Sequence, residues 1–312
     1  MPEPAFSVVI PVYNRRLLVE RAIKSVRCQP GGDVIEIVVV DDGSTDGTYE
    51  YLKQIAPNYR LVLLHHEKNR GVCPTRNLGV AAAHGDWIVF LDSDDELSPD
   101  ALITLHEIVK GLPAEVLQVR GMVQWEDGSL TPDPIMGEEI WGYEDYLSAI
   151  DVPDGAGVES ASAYERMSLN TVRWPEDRSH ETLFHLDWYR KFKARTTPAV
   201  LRLYHTDATN STRDPQPVAR LLSAADDHAR QVDQVIERHG EALKRLAPRA
   251  HRRILKGGIR SHLLAGNRLR AVVLALEVGL KPDVIVGAYL ALGLIHPTFL
   301  AWVSAHSHWW RR

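Results

Sequence analysis

The stretch from Asp86 to Glu96, DWIVFLDSDDE, sets an apolar run directly against a cluster of acids. Carboxylates do not thread through the middle of a buried strand, so the run has to end where they begin. Trp87, Ile88, Val89, Phe90 and Leu91 suit a short strand covered on both faces, and Asp92, Ser93, Asp94 and Asp95 then emerge at its carboxyl end. In open α/β sheets ligands bind at that edge, and carboxylates this closely spaced are hard oxygen donors suited to Mg2+ or Mn2+. The same residues also fit a solvated turn that caps the next helix, with Ser98 or Asp95 as N-cap and Pro99 at its start.

The preceding residues repeat the arrangement. Phe6 to Ile10 (FSVVI) reads as a buried strand, giving way to a loop at Pro11, Val12, Tyr13 and Asn14. Leu18, Ala22, Ile23 and Val26 recur at helical spacing between Arg16 and Arg27, and Pro30, Gly31 and Gly32 break that helix. Val34 to Val40 (VIEIVVV) is a second strand that again ends in acids, Asp41 and Asp42, within the run DDGSTDG. A helix over about 48–55, a strand over 60–65, a helix over about 74–83 closed by Gly85, and the Trp87 strand complete a β-α alternation. That order predicts an α/β fold with a doubly wound, mostly parallel sheet.

Several function classes are disfavoured. The loop after the first strand, PVYNRR, has no glycine to bring a helix N-terminus onto a pyrophosphate, which argues against a nicotinamide or flavin dehydrogenase. No glycine-lysine phosphate loop is present either, so a nucleoside triphosphatase is not expected. Cys28 and Cys73 form no disulfide framework and no paired metal spacing, and both are expected as reduced thiols of a cytosolic chain. The start, MPEPAFSVVIPVYN, has neither the basic segment nor the long apolar region of a secretory signal or membrane anchor.

Three segments, VVIPVYNR, VVVDDGSTDGT and NRGVCPTRNLGVAAAHGDWIVFLDSDD, carry a resemblance in their order and spacing. They resemble the nucleotide-sugar half of the family 2 glycosyltransferases, which have the GT-A fold. The likeness is close over roughly residues 6–110 and looser to about 212. It implies that Asp42 accepts hydrogen bonds from the nucleotide base, typically uracil, with Asp41 beside it. Pro11 and Tyr13 would line the base and ribose pocket, and Arg76 would approach the nucleotide. Read without the family, DDGSTD is a turn that caps the following helix through Ser44 or Asp46, and Arg76 is a sheet-edge salt-bridge partner for one of the acids. Asp92, Ser93 and Asp94 resemble the family's DXD motif, with Asp94 as direct metal ligand and Asp92 reaching the ribose or a metal-bound water. The implied ion, Mn2+ or Mg2+, would stabilise a departing nucleoside diphosphate.

The second half is expected to supply acceptor contacts and a base. Val116 to Val123 reads as a strand, and Trp141, Tyr143 and Tyr146 either stack on sugars or pack the core, the latter for at least two of them. RWPEDRSHETLFHL resembles a late family motif, which puts Glu181 at the catalytic base position with Phe184 behind it. His180 stands where the family more usually has an acid, and Glu176 and Asp177 are the competing candidates. LRLYHTDATNS matches the closing strand, with His205 as third metal ligand and Asn210, Ser211 and Arg213 in a loop over the diphosphate.

Composition divides the chain further. From Glu241 onward there are 12 lysines and arginines against 3 acids, leaving 24 against 38 in the first 240 residues. The expected organisation is a GT-A domain over 1–214, with a nucleotide-sugar half to about 110 and an acceptor half over about 111–214. A helical region over 215–312 would follow, with helices over 218–239, 241–257 and 259–269. Its basic residues and its interrupted apolar runs, AVVLALEVGL and VIVGAYLALGLI, fit peripheral contact with an anionic membrane on its cytoplasmic face. They equally fit a helical subdomain or a homo-oligomer contact; no nucleic-acid motif accompanies them. The resulting expectation is a metal-dependent inverting glycosyltransferase of hexosyl type, using a nucleotide-sugar donor, UDP-linked, and a glycan or lipid-linked acceptor. A non-catalytic sugar-nucleotide or glycan-binding protein and a nucleotidyltransferase are the alternatives.

Overall fold

The computed structural model of the chain describes residues 5–32, 35–132, 136–152, 160–177, 181–206 and 218–279. The order begins with β1 (Phe6–Val12), α1 (Val19–Arg27), β2 (Glu36–Asp41), α2 (Thr48–Tyr59), β3 (Leu61–His65), α3 (Val72–Ala82) and β4 (Trp87–Phe90). It continues with β5 (Glu96–Leu97), α4 (Ala101–Lys110), β6 (Val116–Trp125), β7 (Leu130–Thr131), β8 (Ile140–Trp141) and α5 (Tyr143–Ile150). Then come β9 (Ala161–Glu165), α6 (Arg166–Thr171), α7 (Thr182–Tyr189) and β10 (Lys193–Tyr204). Helices α8 (Val218–Ser223), α9 (Ala225–Leu246), α10 (Pro248–Leu264) and α11 (Arg268–Glu277) close the series.

The chain divides into two compact units, one of Met1–Tyr146, Ala156–Asp177 and Phe184–Ala208, the other of Leu147–Gly155, Arg178–Leu183 and Thr209–Arg312. The division is therefore interleaved in sequence, whereas a cut at 214 is linear. The first unit holds one sheet in the order β3-β2-β1-β4-β9-β6-β10-β5, with β7 on β6 and β8 on β10. The expected α/β architecture is present: β3, β2, β1 and β4 run parallel, as do β6 and β10. Strand β9 enters antiparallel between β4 and β6. Chain order reverses about β1, so β1, β2 and β4 end together at a topological switch, the place where open α/β sheets bind ligands.

Local chemistry explains the elements. Every residue of β1 is buried, and Val8, Val9, Ile10, Ile37, Val38, Val39 and Ile88 have no exposed surface, as strands covered on both faces require. The strand runs two residues past its expected end, through Pro11. The Val9 carbonyl accepts from Leu91 N–H at 3.1 Å, so positions 9 and 11 both face β4. Pairing with β4 stops at Val9–Phe90, and the missing N–H of Pro11 therefore falls where no ladder bond is needed. On β6, Arg120 is buried and lies 5.4 Å from the Trp141 ring, 5.9 Å from Tyr146 and 6.0 Å from Tyr189. Tyr146 stacks on Tyr189 at 4.3 Å, and both are buried, while Trp141 and Tyr143 are half-buried.

In the second unit α10 packs with α9 and α11. The helices are longer than their glycines suggest. Gly240 lies inside α9 and Gly257 and Gly258 inside α10, where breaks were expected. A Cβ on Gly258 would stand 2.6 Å from Val232 Cγ1 and 2.9 Å from Leu274 Cδ1, so its lack of a side chain lets three helices meet. Pro248, at the start of α10, and Gly266, with φ +81°, mark the real boundaries. No described helix is long and apolar enough to cross a membrane. His180, Asn210, Ser211, Arg213 and the apolar runs beyond residue 279 lie outside the described residues.

Candidate active site

The loops after β1 and β2 are laced together. Asn14, held at φ +53°, donates from its backbone N–H to Ser44 Oγ at 2.9 Å and accepts from Thr45 N–H at 2.8 Å through its side-chain Oδ1. Asp42 is 4% exposed and anchors the loop that follows β3. Its Oδ1 accepts from Arg70 N–H at 2.8 Å and meets His66 Nδ1 at 2.9 Å, and its Oδ2 accepts from Gly71 N–H at 2.8 Å. A carboxylate offers about four acceptor positions, which leaves room for one further donor. Asp41 is fully buried, accepting from Ser44 N–H at 3.0 Å and meeting His65 Nδ1 at 2.9 Å. Gly43 makes the close approach workable: its φ is +73°, and a Cβ there would lie 2.5 Å from the carbonyl carbon of Lys68. Asp46 accepts from Thr48 N–H at 3.0 Å, so DDGSTD supports the start of α2 as well as holding the site. Pro11 is buried beneath this edge, and Tyr13 is 39% exposed upon it.

At the end of β4 the acids meet arginines. Asp92 Oδ2 is 2.9 Å from Arg202 Nη1, and its Oδ1 is 3.5 Å from Arg76 Nη2. Asp94 Oδ2 is 3.6 Å from Arg15 Nη2, and the Asp94 carbonyl accepts from Arg21. Asp95 is 1% exposed, with Arg202 Nε 3.5 Å from its Oδ2 and His205 N–H donating to its Oδ1 at 3.2 Å. Ser93, between the outer acids, is buried. Burial, and after it the charge of Asp92, raises both Asp94 and Asp95 above the ordinary carboxylate range. Arg76 fills the sheet-edge role, its guanidinium also lying 5.5 Å from the Phe90 ring and 5.9 Å from the Trp174 ring.

These groups fit a divalent cation. The donors are hard oxygens, Asp95 Oδ2 is buried without a hydrogen bond, and added positive charge would offset the burial and the Asp92 repulsion that together raise Asp94. Among the described residues no three His, Cys, Asp or Glu side chains form a ready cage. Such a site suits an ion that takes one or two carboxylates from protein and its remaining ligands from phosphate and water. His205 stands between two other acids, Nε2 2.9 Å from Glu96 and Nδ1 3.2 Å from Glu126, so coordination would require the ring to leave one of them.

The late segment returns to α3. Asn77 Nδ2 donates to the Trp174 carbonyl at 2.9 Å and to Glu176 at 2.8 Å, and Arg70 lies 3.5 Å from Glu176. Trp174 stacks on buried Phe184 at 3.8 Å. Glu181 is half-buried immediately before α7 and belongs to the second unit. Sequence reasoning assigned no role to Arg15, Arg21 or Arg202. Arg15 was within reach, since it follows Asn14 in the first matched segment; Arg202 lies on a strand about 110 residues away, and nothing local marks it.

Solved structures share this fold. The TarS 1-349 structure from S. aureus in complex with UDP-GlcNAc matches with a TM-score of 0.54 at 18% identity, covering 96% of this chain and 91% of that one. The mannosyltransferase PcManGT from Pyrobaculum calidifontis, in complex with GDP-Man and Mn2+, matches at 0.53 and 21% identity, covering 97% and 85%. The fold is thus that of the GT-A glycosyltransferases. The model of glycosyl transferase family 2 matches residues 7–173, just over half of the 312, and the chain belongs to that family. YibD of Escherichia coli (strain K12), described as an uncharacterized glycosyltransferase, is 38% identical over 168 residues, 54% of this chain and 45% of that protein. The GalNAc(5)-diNAcBac-PP-undecaprenol beta-1,3-glucosyltransferase of Campylobacter jejuni is 38% identical over 106 residues, 33% of this chain and 34% of that protein. The matched stretches span less than half the length of these relatives.

Proposed function

We propose that the chain is a metal-dependent inverting glycosyltransferase of hexosyl type. It moves a sugar from a nucleoside-diphosphate donor, UDP-linked, to a hydroxyl of a glycan or lipid-linked saccharide. The observation that carries the reading is the set Asp92, Asp94 and Asp95 at the end of β4, interleaved with Arg15, Arg76 and Arg202. An edge of that composition suits a phosphate-bearing ligand together with its counter-ion. The neighbours solved with UDP-GlcNAc and with GDP-Man and Mn2+, and the relative named for a PP-undecaprenol substrate, support donor, ion and acceptor class.

In this reading Asp94 is the direct ligand of Mn2+ or Mg2+, Asp92 reaches the ribose or a metal-bound water beside Ser93, and His205 joins by leaving Glu96 or Glu126. A bound cation supplies stabilisation of the leaving diphosphate. Asp42 receives the base with Asp41 buried behind it holding the loop, Pro11 lines the pocket, Tyr13 offers its exposed ring for stacking, and Arg76 turns toward base or phosphate. Glu181, with Glu176 and Asp177 as competitors, takes the acceptor hydroxyl's proton as that oxygen attacks the anomeric carbon opposite the leaving group. One displacement then inverts the centre. The basic helical region makes a peripheral contact with an anionic membrane at its cytoplasmic face, or with a second copy of the chain.

The test is a donor screen in which protein with Mn2+ receives UDP-, GDP- and dTDP-sugars and free nucleoside diphosphate is measured, with UDP binding read by calorimetry. Metal-dependent turnover of one donor supports the reading. Absence of both turnover and nucleotide binding overturns it.

A further inference from the structure

Arg202 touches acids on both sides of Asp94, Asp92 and Asp95. Strand β10 pairs antiparallel with β5, setting Arg202 opposite Leu97, and this delivers a side chain only 7% exposed to the acidic turn. Its Nη1 takes Asp92 at 2.9 Å and its Nε faces Asp95 at 3.5 Å. Asp92 is thereby engaged on both oxygens, by Arg202 and by Arg76, whereas Asp94 meets Arg15 at 3.6 Å through Oδ2. Arg15, Arg76 and Arg202 thus face Asp92, Asp94 and Asp95, so guanidiniums offset much of the charge of a turn that is written in the sequence as a run of acids.

We propose that Arg202 is a positioning residue for the cation site: it keeps Asp92 and Asp95 engaged, leaves Asp94 to meet the ion, and offsets the negative charge around it, so that a divalent cation binds strongly only together with a nucleoside diphosphate. The proposal rests on the metal-dependent reading above. A guanidinium is needed because its planar fork spans two carboxylates, which an ammonium does not. Ordered entry follows from the charge balance: the arginines already offset the acids of the turn, so the diphosphate brings the negative charge to which the ion is attracted.

The test titrates full-length protein with Mn2+, following free Mn2+ by electron paramagnetic resonance with and without UDP. Wild type is expected to hold Mn2+ weakly alone and more tightly with UDP. Arg202→Gln should tighten Mn2+ binding in the absence of UDP by about tenfold, the size expected for removing one positive charge a few ångströms away in a partly solvated site. It should also shrink the enhancement by UDP. Arg202→Lys keeps the charge, so Mn2+ binding alone stays as in wild type while kcat of donor turnover falls. Loss of structure would weaken ion binding, so tightening separates positioning from mere support. If Arg202→Gln does not fold, the comparison is repeated in Asp95→Asn, where no buried carboxylate is left unpaired; adding Arg202→Gln should again tighten Mn2+ about tenfold. Unchanged or weaker binding in the folded variant overturns the role of Arg202 alone. A wild type that takes up no Mn2+ even with UDP overturns the metal-dependent reading beneath it.

Discussion

Asn77 and Trp174 hydrogen-bond to each other twice across 97 residues: the Asn77 amide group donates to the Trp174 carbonyl at 2.9 Å, and its oxygen accepts from the Trp174 N–H at 3.2 Å. One side chain on α3 thus completes the backbone of the late segment and sets Glu176 beside Arg70.

Asn77→Ala should therefore destabilise the first unit. Each backbone group of Trp174 left without a partner costs about 1–3 kcal/mol if it stays buried. Urea unfolding followed by tryptophan fluorescence measures the loss. A change within about 0.5 kcal/mol, typical of a surface substitution, would contradict this account.

Gly43→Ala should harm both stability and donor binding. Its backbone lies at φ +73° and a Cβ would meet Lys68 at 2.5 Å, so the loop carrying Arg70 and Gly71 has to shift away from Asp42. We expect about 1–3 kcal/mol of destabilisation from strain and crowding. Donor KM should rise more than kcat falls, as steady-state kinetics would show.

Chemistry at the proposed site separates the candidate acids. Asp94→Asn should lower donor turnover by about a hundredfold or more, since a metal contributes several kcal/mol to leaving-group stabilisation. Glu181→Gln should reduce kcat for transfer by about 100- to 10,000-fold with donor binding intact, the range for loss of a general base. Glu176→Gln under the same assay should leave most of the activity; the reverse ranking would move the base to Glu176.

Acid should loosen the helical unit. Burial lowers His251 and His262 from the ordinary imidazole value of 6.5, opposed by Glu277 and Glu241 at the first and by Asp233 at the second, while Lys244 and Arg270 add to the lowering. The unfolded imidazoles then bind protons that the folded ones refuse. This contribution is fully present above pH 6.5 and is lost as pH falls below it toward the folded values. Helical circular dichroism should melt at lower temperature at about pH 5.5 than at about pH 7.5, and His262→Phe should flatten the difference.

Much of the first unit was legible in the sequence because its signals are local. Apolar runs that end in acids marked β2 and β4, helical spacing marked α1 ahead of β2, and the β-α alternation placed α2 and α3 between the two strands. The boundaries slipped where a neighbour decided them. β1 continues through Pro11 because β4 has already ended, and α10 continues through Gly258 because two other helices need the space.

The candidate site divides along the same line. The sequence alone determined that Asp41, Asp42, Asp92, Asp94 and Asp95 stand at strand ends, since a charged side chain inside a doubly covered strand would lie buried and unpaired. Only the tertiary structure decided what each acid meets: Asp42 the amides of Arg70 and Gly71, Asp94 Arg15, and both Asp92 and Asp95 Arg202, about 110 residues away. Periodicity and charge patterns report on neighbours along the chain. Pairings between strands depend on which edges come together in the sheet, and that is settled by packing over the whole core.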